Sequence, residues 1–170
     1  NVAIGSGSLT SNTTGDYNTA IGSSSLFSNN ANIGSVAIGY SSMQYADNRT
    51  TGRTTGNTAV GYQSLKGSST PANNTGINNT AIGYQTLNSN TSGSSNTAIG
   101  YSAMSSSSTY SNSTALGYNA QVTASNQIQL GDANITDVKT TGKITVKEVA
   151  TTRTFIIGES YGGGVIFYVT

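Results

Sequence analysis

Few side chains in this sequence could carry out chemistry. It contains no histidine and no cysteine, which excludes imidazole and thiolate metal sites, Ser-His-Asp and Cys-His catalysis, and disulfide bonds. Of its six acidic residues, only Asp16 and Asp47 lie within positions 1–127, and no pattern brings their carboxylates together as glycoside hydrolysis would require. We therefore predict no catalytic residue, no bound metal and no cofactor, and we predict that the protein is not an enzyme.

One cluster of large polar side chains is a candidate for binding rather than for catalysis. Tyr45, Asn48 and Arg49 follow one another closely, and Arg53 comes four residues later. Tyrosine and arginine are among the residues that most often anchor protein contacts. The cluster is either a receptor contact or a solvated loop. If this chain binds a receptor directly, these four residues are the predicted site.

The composition narrows the class of protein. Ser, Thr, Asn and Gly make up more than half of the 170 residues, whereas charged residues make up only 8%, against about 25% in a typical globular domain. Low charge argues against charge-driven disorder, and a net charge of +1 leaves no basic stripe for a phosphate backbone. No run of apolar residues is long enough to span a membrane. We therefore expect neither a nucleic-acid partner nor membrane insertion.

A recurring tripeptide, Ala-(Ile/Val/Leu)-Gly, sets the organisation of the chain. It occurs seven times at a constant interval, except that the two central intervals are longer, and a degenerate copy at 128–131 follows. Leu or Met stands four residues after six of the glycines, and Tyr directly follows five of them. The glycines are Gly5, Gly22, Gly39, Gly61, Gly83, Gly100 and Gly117, and the tyrosines are Tyr40, Tyr62, Tyr84, Tyr101 and Tyr118. Such self-similarity is typical of a solenoid.

The elements that position these residues are short strands. Each unit holds one apolar patch of about five residues, too short for an amphipathic helix and rich in β-branched types. No Asn-Gly or Asp-Gly dipeptide occurs, which argues against tight hairpins. The pattern predicts an all-β fold, a parallel β-solenoid whose coils stack about 4.8 Å apart. The extra residues of the two longer units, in 44–57 and 66–79, should form loops on one side.

The apolar positions also predict self-association. Adjacent side chains of a strand point to opposite faces, yet both neighbours in each Ala-Ile pair are apolar, so both faces require burial. One coil supplies too few large apolar side chains to offset the entropy of ordering it. We therefore expect an obligate homo-oligomer with its axis along the solenoid. The predicted core of the repeat consists of Ile4, Ile21, Ile38, Val60, Ile82, Ile99, Leu116 and Leu130.

The tyrosine that follows the repeat glycine has two interpretations. It could present aromatic faces on which sugars stack, or it could form a structural ladder along the coils, as stacked aromatics do in flat parallel sheets. A solenoid that binds ice or another crystalline surface would need a doubled threonine array, and the repeat threonines recur only singly.

Two stretches of the repeat resemble a known group of proteins. Asn57-Thr58-Ala59-Val60-Gly61-Tyr62-Gln63-Ser64-Leu65 and Asn96-Thr97-Ala98-Ile99-Gly100-Tyr101 resemble the head repeats of trimeric autotransporter adhesins. They are even more similar to repeats in trimeric tail fibres of phages and of phage-like contractile injection particles. The resemblance covers about residues 1–131. It implies a left-handed parallel β-roll, three intertwined chains and an adhesive role. The units here are longer than those of adhesin heads, which favours the fibre branch.

The chain after the repeats changes character. Residues 128–170 carry more charges than residues 1–127, and residues 143–147 alternate polar and apolar side chains as a half-buried strand does. We expect solenoid repeats over 1–131, a neck or linker of short strands over 132–152, and the start of a further, truncated β domain over 153–170. The sequence begins within a repeat and ends on an apolar strand, so we expect it to be part of a longer protein.

The expected function follows from the resemblance. The chain would be a structural segment of a homotrimeric tail fibre that extends and presents a receptor-binding tip to target cells. Its partners would be a particle baseplate or further fibre segments, and a cell-surface glycan or protein receptor. The alternative is the head of a trimeric autotransporter adhesin that binds a host surface or matrix. Both interpretations place the protein outside the cell, on a particle surface or on a bacterial surface.

Overall fold

The computed structural model describes residues 1–106 and 108–141, and in this part of the chain the fold is all-β. Each coil contributes one strand of three residues, and one 3-10 helix, Pro71–Asn73, lies in the second of the longer coils. The strands are β1 Val2–Ile4, β2 Thr19–Ile21, β3 Val36–Ile38, β4 Thr58–Val60, β5 Thr80–Ile82, β6 Thr97–Ile99, β7 Thr114–Leu116 and β8 Ile128–Leu130.

The strands form one parallel sheet in sequence order, from β1 to β8. Their register follows the repeat, since Ala3 pairs with Ala20 and Ala20 with Ala37. The register also holds across the two longer units, where Ala37 pairs with Ala59 and Ala59 with Ala81. The prediction of a parallel β-solenoid is therefore confirmed. The extra residues of the longer units lie in loops outside the sheet, as expected.

The core of the chain lies behind the middle residue of each strand. Because adjacent side chains of a strand alternate, the central alanine points inward while both of its neighbours point outward. The alanines of β2 to β7 are completely buried, and they pack against the Leu or Met four residues after the repeat glycine. A coil this narrow admits a methyl group beside one larger side chain. The buried large side chains are Leu9, Leu26, Met43, Leu65, Leu87 and Met104, with Val122 in the seventh coil.

The eight aliphatic residues predicted as the repeat core occupy the outer face of the sheet instead. Ile82 and Ile99 are about 40% exposed, and Ile4 is 59% exposed. Of the rest, Leu116 and Leu130 are exposed as well, whereas Ile21, Ile38 and Val60 are half-buried. Within the chain these residues do not form the core, because the one inward position of the three-residue strand is alanine in β1 to β7 and Gln129 in β8. The sequence analysis required burial of both faces of each strand, and in the single chain it is the alanine face that is buried.

The glycine after each strand turns the chain and allows the coils to approach closely. Gly61 has a φ of +132°, and a Cβ there would lie 2.4 Å from the carbonyl oxygen of Gly83 in the next coil. The same approach recurs along the stack, since a Cβ on Gly83 would lie 2.4 Å from the carbonyl oxygen of Gly100. Only glycine fits this position, which explains the constant third residue of the tripeptide.

The chain divides into two compact units, Asn1–Thr136 and Asp137–Thr170. Residues 132–141, the first part of the predicted neck, contain no strand. In the second unit the described residues are 137–141, where the exposed side chains of Asp137 and Lys139 lie 3.6 Å apart. The rest of the predicted neck, including the strand expected at 143–147, and the predicted C-terminal β domain at 153–170 lie outside the described residues.

Candidate functional site

A ladder of buried asparagines fastens one coil to the next. The residue two positions before the repeat alanine is Asn in five coils, and in each its side-chain amide donates one hydrogen bond to, and accepts another from, residues further along the chain. The buried Asn18 is typical, because its Nδ2 donates to the carbonyl oxygen of Asn32 at 2.8 Å and its Oδ1 accepts from the backbone nitrogen of Ser35 at 2.9 Å. Asn79 and Asn96 repeat this pattern. The ladder fixes the coil spacing with hydrogen bonds shielded from water.

Sequence reasoning did not assign a role to this ladder. The signal was present, since Asn1, Asn18, Asn57, Asn79 and Asn96 all stand two residues before the repeat alanine. In a sequence so rich in asparagine, these five resemble the polar residues of a turn. Burial distinguishes the last four of them from turn residues, because Asn18 and Asn96 are 1% exposed, Asn57 is 5% exposed and Asn79 is completely buried.

The outer face of the sheet carries a continuous aliphatic stripe, the eight residues from Ile4 to Leu130 named above. They stack in register along the sheet because each follows a paired alanine or its equivalent. In five of the coils the first residue of the strand, two positions before the stripe residue, is a half-buried Thr. Contiguous exposed aliphatic surface is typical of interaction surfaces, so the stripe is a candidate for one.

The five repeat tyrosines form a second ladder next to this stripe. Neighbouring rings lie 5.0–5.3 Å apart between centroids, with interplanar angles of 3–16°. Each inner ring is therefore covered on both faces by other tyrosines, and its edge faces solvent. This geometry fits the structural ladder, because a sugar would need the ring faces that the neighbouring tyrosines occupy.

The inserted loop pair, residues 44–57 and 66–79, forms a separate feature. The two loops are bonded to each other: the backbone nitrogen of Tyr45 donates to the carbonyl oxygen of Lys66 at 3.0 Å, and Nδ2 of Asn74 donates to the carbonyl oxygen of Tyr45. Arg53 Nη2 donates to the carbonyl oxygen of Thr75 at 2.7 Å. The insertions therefore build one two-layered surface on the side of the solenoid.

A buried carboxylate organises this loop pair. The side chain of Asp47 is 2% exposed, and both of its oxygens lie 2.9 Å from Nε of Arg49, whose Nη2 also contacts Oδ2. The Nε and Nη2 atoms of Arg53 lie 3.2 and 3.1 Å from the same Oδ2. Two guanidinium groups therefore converge on one carboxylate. The spacing of these residues in the sequence does not by itself indicate this arrangement.

Charge and burial act in opposite directions on this carboxylate. Burial by itself raises the pKa of Asp47, but hydrogen bonds from the side chain and backbone of Arg49, with the charges of Arg49 and Arg53, outweigh it and lower the pKa below its ordinary value. The hydrogen bond to Asp47 correspondingly raises the pKa of Arg49. Asp47 and Arg49 are therefore both charged at neutral pH.

The structure brings the four predicted contact residues into this one region. Arg49 is 47% exposed and Arg53 is 29% exposed, although both bind Asp47. The side chain of Asn48 is exposed while its carbonyl oxygen accepts from Nδ2 of Asn30 at 2.7 Å. Tyr45 is half-buried, and Nζ of Lys66 lies 5.5 Å from its ring centroid. Sequence reasoning missed Asp47 as the residue that holds the two arginines.

No group of His, Cys, Asp or Glu in the described part of the chain could hold a metal ion. Among the same residues, no helix is long and apolar enough to cross a membrane. Comparisons with protein-family models, with curated proteins and with solved structures give no match to this chain. The resemblance to the repeats of tail fibres and adhesin heads therefore rests on the motifs quoted above.

Proposed function

We propose that this chain is a structural segment of a homotrimeric fibre, of the kind carried by phages and by phage-like contractile injection particles. The aliphatic stripe from Ile4 to Leu130 is the observation that carries the proposal. It runs the whole length of the described sheet, and its side chains are half-buried or exposed in the single chain. Other copies of the same chain would cover it, because each copy offers the same stripe with the same axial repeat.

The rest of the solenoid supports a mechanical role. Each coil is joined to the next by paired strands and, in most coils, by buried asparagine bonds, so that pulling along the axis would load many hydrogen bonds in parallel. The segment would hold a receptor-binding tip at a distance from the particle. Its other partners would be a baseplate or further fibre segments, and its location would be extracellular or on a particle surface.

A substitution in the stripe tests whether the stripe lies in the interface between the three chains. Ile99→Asp places a charge on the outer face, where three copies at one level would bury it in a trimer. We expect this variant to lose the trimer in sedimentation experiments. Ser89→Asp introduces the same charge at an exposed loop position of the neighbouring coil and should leave the mass unchanged. A trimeric Ile99→Asp variant would remove the stripe from the interface and with it the basis of the proposal.

The inserted loop pair favours a second candidate function. The head of a trimeric autotransporter adhesin would bind a host surface or matrix through its own solenoid rather than through a distal tip. The exposed arginines of the loop pair are the described residues best suited to such contact. Binding of cells by this segment as strongly as by the whole protein, with loss in Arg49→Ala combined with Arg53→Ala, would favour this function over the spacer.

A further inference from the structure

We propose that the inserted loop pair is a binding site for an acidic polysaccharide, with Arg49 and Arg53 as the residues that contact its carboxylate or sulfate groups. The proposal goes beyond the structural role of the segment. It does not depend on the trimer, although three copies would add avidity to a weak single site.

The charge distribution is the first observation. Positions 1–127 carry only five charged side chains, and four of them lie in the loop pair: Asp47, Arg49, Arg53 and Lys66. Three are positive and one is negative, so this surface has an excess of two positive charges. The fifth, Asp16, lies in another coil and is exposed. An anion approaching the solenoid would find its positive charge concentrated at this one place.

The arrangement of the guanidinium groups is the second observation. Asp47 holds both arginines by the edge formed by Nε and Nη2. The remaining nitrogen, Nη1, makes no hydrogen bond to the described residues in either arginine, and both side chains retain exposed surface. Two guanidinium groups held close together by a buried carboxylate are preorganised, so a ligand anion would bind them with little loss of side-chain entropy.

The surroundings of the two arginines indicate the class of ligand. Asn48, Thr50 and Thr51 are exposed beside Arg49 and offer amide and hydroxyl groups rather than apolar surface. A sugar with one acidic group and several hydroxyls matches a surface with one pair of arginines and a neutral polar rim. A nucleic acid would require a basic stripe of several phosphate contacts, which positions 1–127 do not contain. We therefore assign the site to an acidic glycan.

The test measures binding of the whole chain to immobilised heparin, which carries sulfates and carboxylates, to hyaluronate, which carries carboxylates only, and to neutral dextran. We expect binding to at least one acidic polymer, none to dextran, and weakening by salt. Arg49→Gln should lower the affinity about tenfold, as expected for loss of a charged hydrogen bond. Lys139→Gln removes one positive charge from the other unit and should have no effect. Circular dichroism would show that both variants fold.

Several outcomes would overturn the assignment. They are failure to bind either acidic polymer, equal binding to dextran, or an equal loss in Lys139→Gln, which would indicate attraction to overall charge. Preference for heparin over hyaluronate would identify sulfate as the bound group, and equal binding would identify carboxylate. The mass of each variant in solution distinguishes failure of the glycan-site proposal from failure of the fibre proposal. A monomer that still binds heparin through Arg49 would contradict the fibre proposal and leave the glycan site intact.

Discussion

At the scale of single residues, left-handed backbone at non-glycine positions is a regular part of each coil. The residue before the ladder asparagine, or before its equivalent, has a φ between 54° and 76° in seven coils. This conformation costs most residues about 1–2 kcal/mol, but it costs glycine and asparagine less. The residues are Tyr17, Gly34, Gly56, Asn78, Ser95, Asn112 and Asn126. At this position, Tyr17 and Ser95 therefore retain strain that the glycines and asparagines of the other coils avoid.

Tyr17 offers the clearest test of this strain. It has a φ of 59° and is 82% exposed, so its ring contributes little packing. We expect Tyr17→Asn to raise the free energy of unfolding by about 1 kcal/mol, measured by urea denaturation at fixed protein concentration. Tyr17→Ala, which also removes the ring but keeps an ordinary backbone preference, should give little gain. Equal stabilisation by both substitutions would trace the effect to the lost ring instead.

Asp47 makes the stability of the folded chain depend on pH in the acid range. Its pKa is lowered in the folded chain, so its stabilising contribution is present above the unfolded value of about 3.9 and is lost as pH falls through the folded pKa. Asp47→Asn should therefore cost about 1–3 kcal/mol at pH 7, as expected for hydrogen bonds to charged groups.

The difference in the free energy of unfolding between wild type and Asp47→Asn should shrink as the pH falls below the unfolded value of about 3.9 and through the folded pKa. Urea denaturation at neutral and at acidic pH measures it. Asp16→Asn makes the same charge change at an exposed position and should have a small effect at both. A loss in Asp47→Asn that stayed constant into the acid range would show that the charge of Asp47 is not what stabilises the loop pair.

At the scale of elements, a second asparagine ladder is interrupted. Asn12 and Asn29 occupy equivalent positions, three residues after the core leucine, and Asn29 Nδ2 donates to Asn12 Oδ1 at 3.2 Å. In the next coil the equivalent residue is Ala46, whose backbone nitrogen bonds the carbonyl oxygen of Met43 as that of Asn29 bonds Leu26. The buried Oδ1 of Asn29 has no hydrogen-bond partner among the described residues, and Asn29 lines a cavity of about 30 Å³.

Restoring the asparagine that this second ladder lacks at position 46 should stabilise the chain. Ala46→Asn would place an amide donor opposite Asn29 and fill part of the cavity, and we expect a gain of about 1 kcal/mol, the usual worth of a hydrogen bond. Ala46→Leu adds similar volume without a donor and should gain less. Thermal denaturation compares the two. An equal or larger gain from leucine would show that the cavity lacks volume rather than a donor.

At the scale of elements, the burial of the core predicts different losses of stability for substitutions at two neighbouring residues. Ala98 is completely buried, whereas Ile99 beside it is 40% exposed. Ala98→Val adds two methyl groups inside a closely packed coil and should cost about 1–3 kcal/mol. Ile99→Val removes one methylene from the outer face and should cost about 0.5 kcal/mol, the low end for this substitution. The reverse order in urea denaturation would return Ile99 to the core of the single chain.

The period of the repeat made the architecture predictable from the sequence. The roles of individual side chains were not predictable, because they depend on which side chains the fold buries. Ala-Ile-Gly at fixed spacing required parallel stacking, and the two longer units had to place their extra residues in loops. The same tripeptide could not show which of Ala and Ile points inward, since both are apolar and the strand is only three residues long. Likewise, the convergence of Arg49 and Arg53 on Asp47 depends on loop geometry that no local pattern encodes.

At the scale of the whole molecule, the described chain has a thin interior and a large apolar exterior. Apart from alanine, each of the first six coils buries one Leu or Met, worth about 1.5–3 kcal/mol, against an ordering cost of about 1–2 kcal/mol for each residue of backbone. Strand pairing and the asparagine ladder help, and the aliphatic stripe is apolar surface that is still available for burial. Covering it with other copies is the simplest way to stabilise a solenoid of this composition.

The mass of the protein in solution tests this account most directly. Light scattering across a range of concentrations should give about three times 17.3 kDa, without a folded monomer on dilution, because an isolated chain would expose the stripe from Ile4 to Leu130. A folded monomer of 17.3 kDa that persists at all concentrations would contradict the account, since the outer aliphatic stripe would then need no partner.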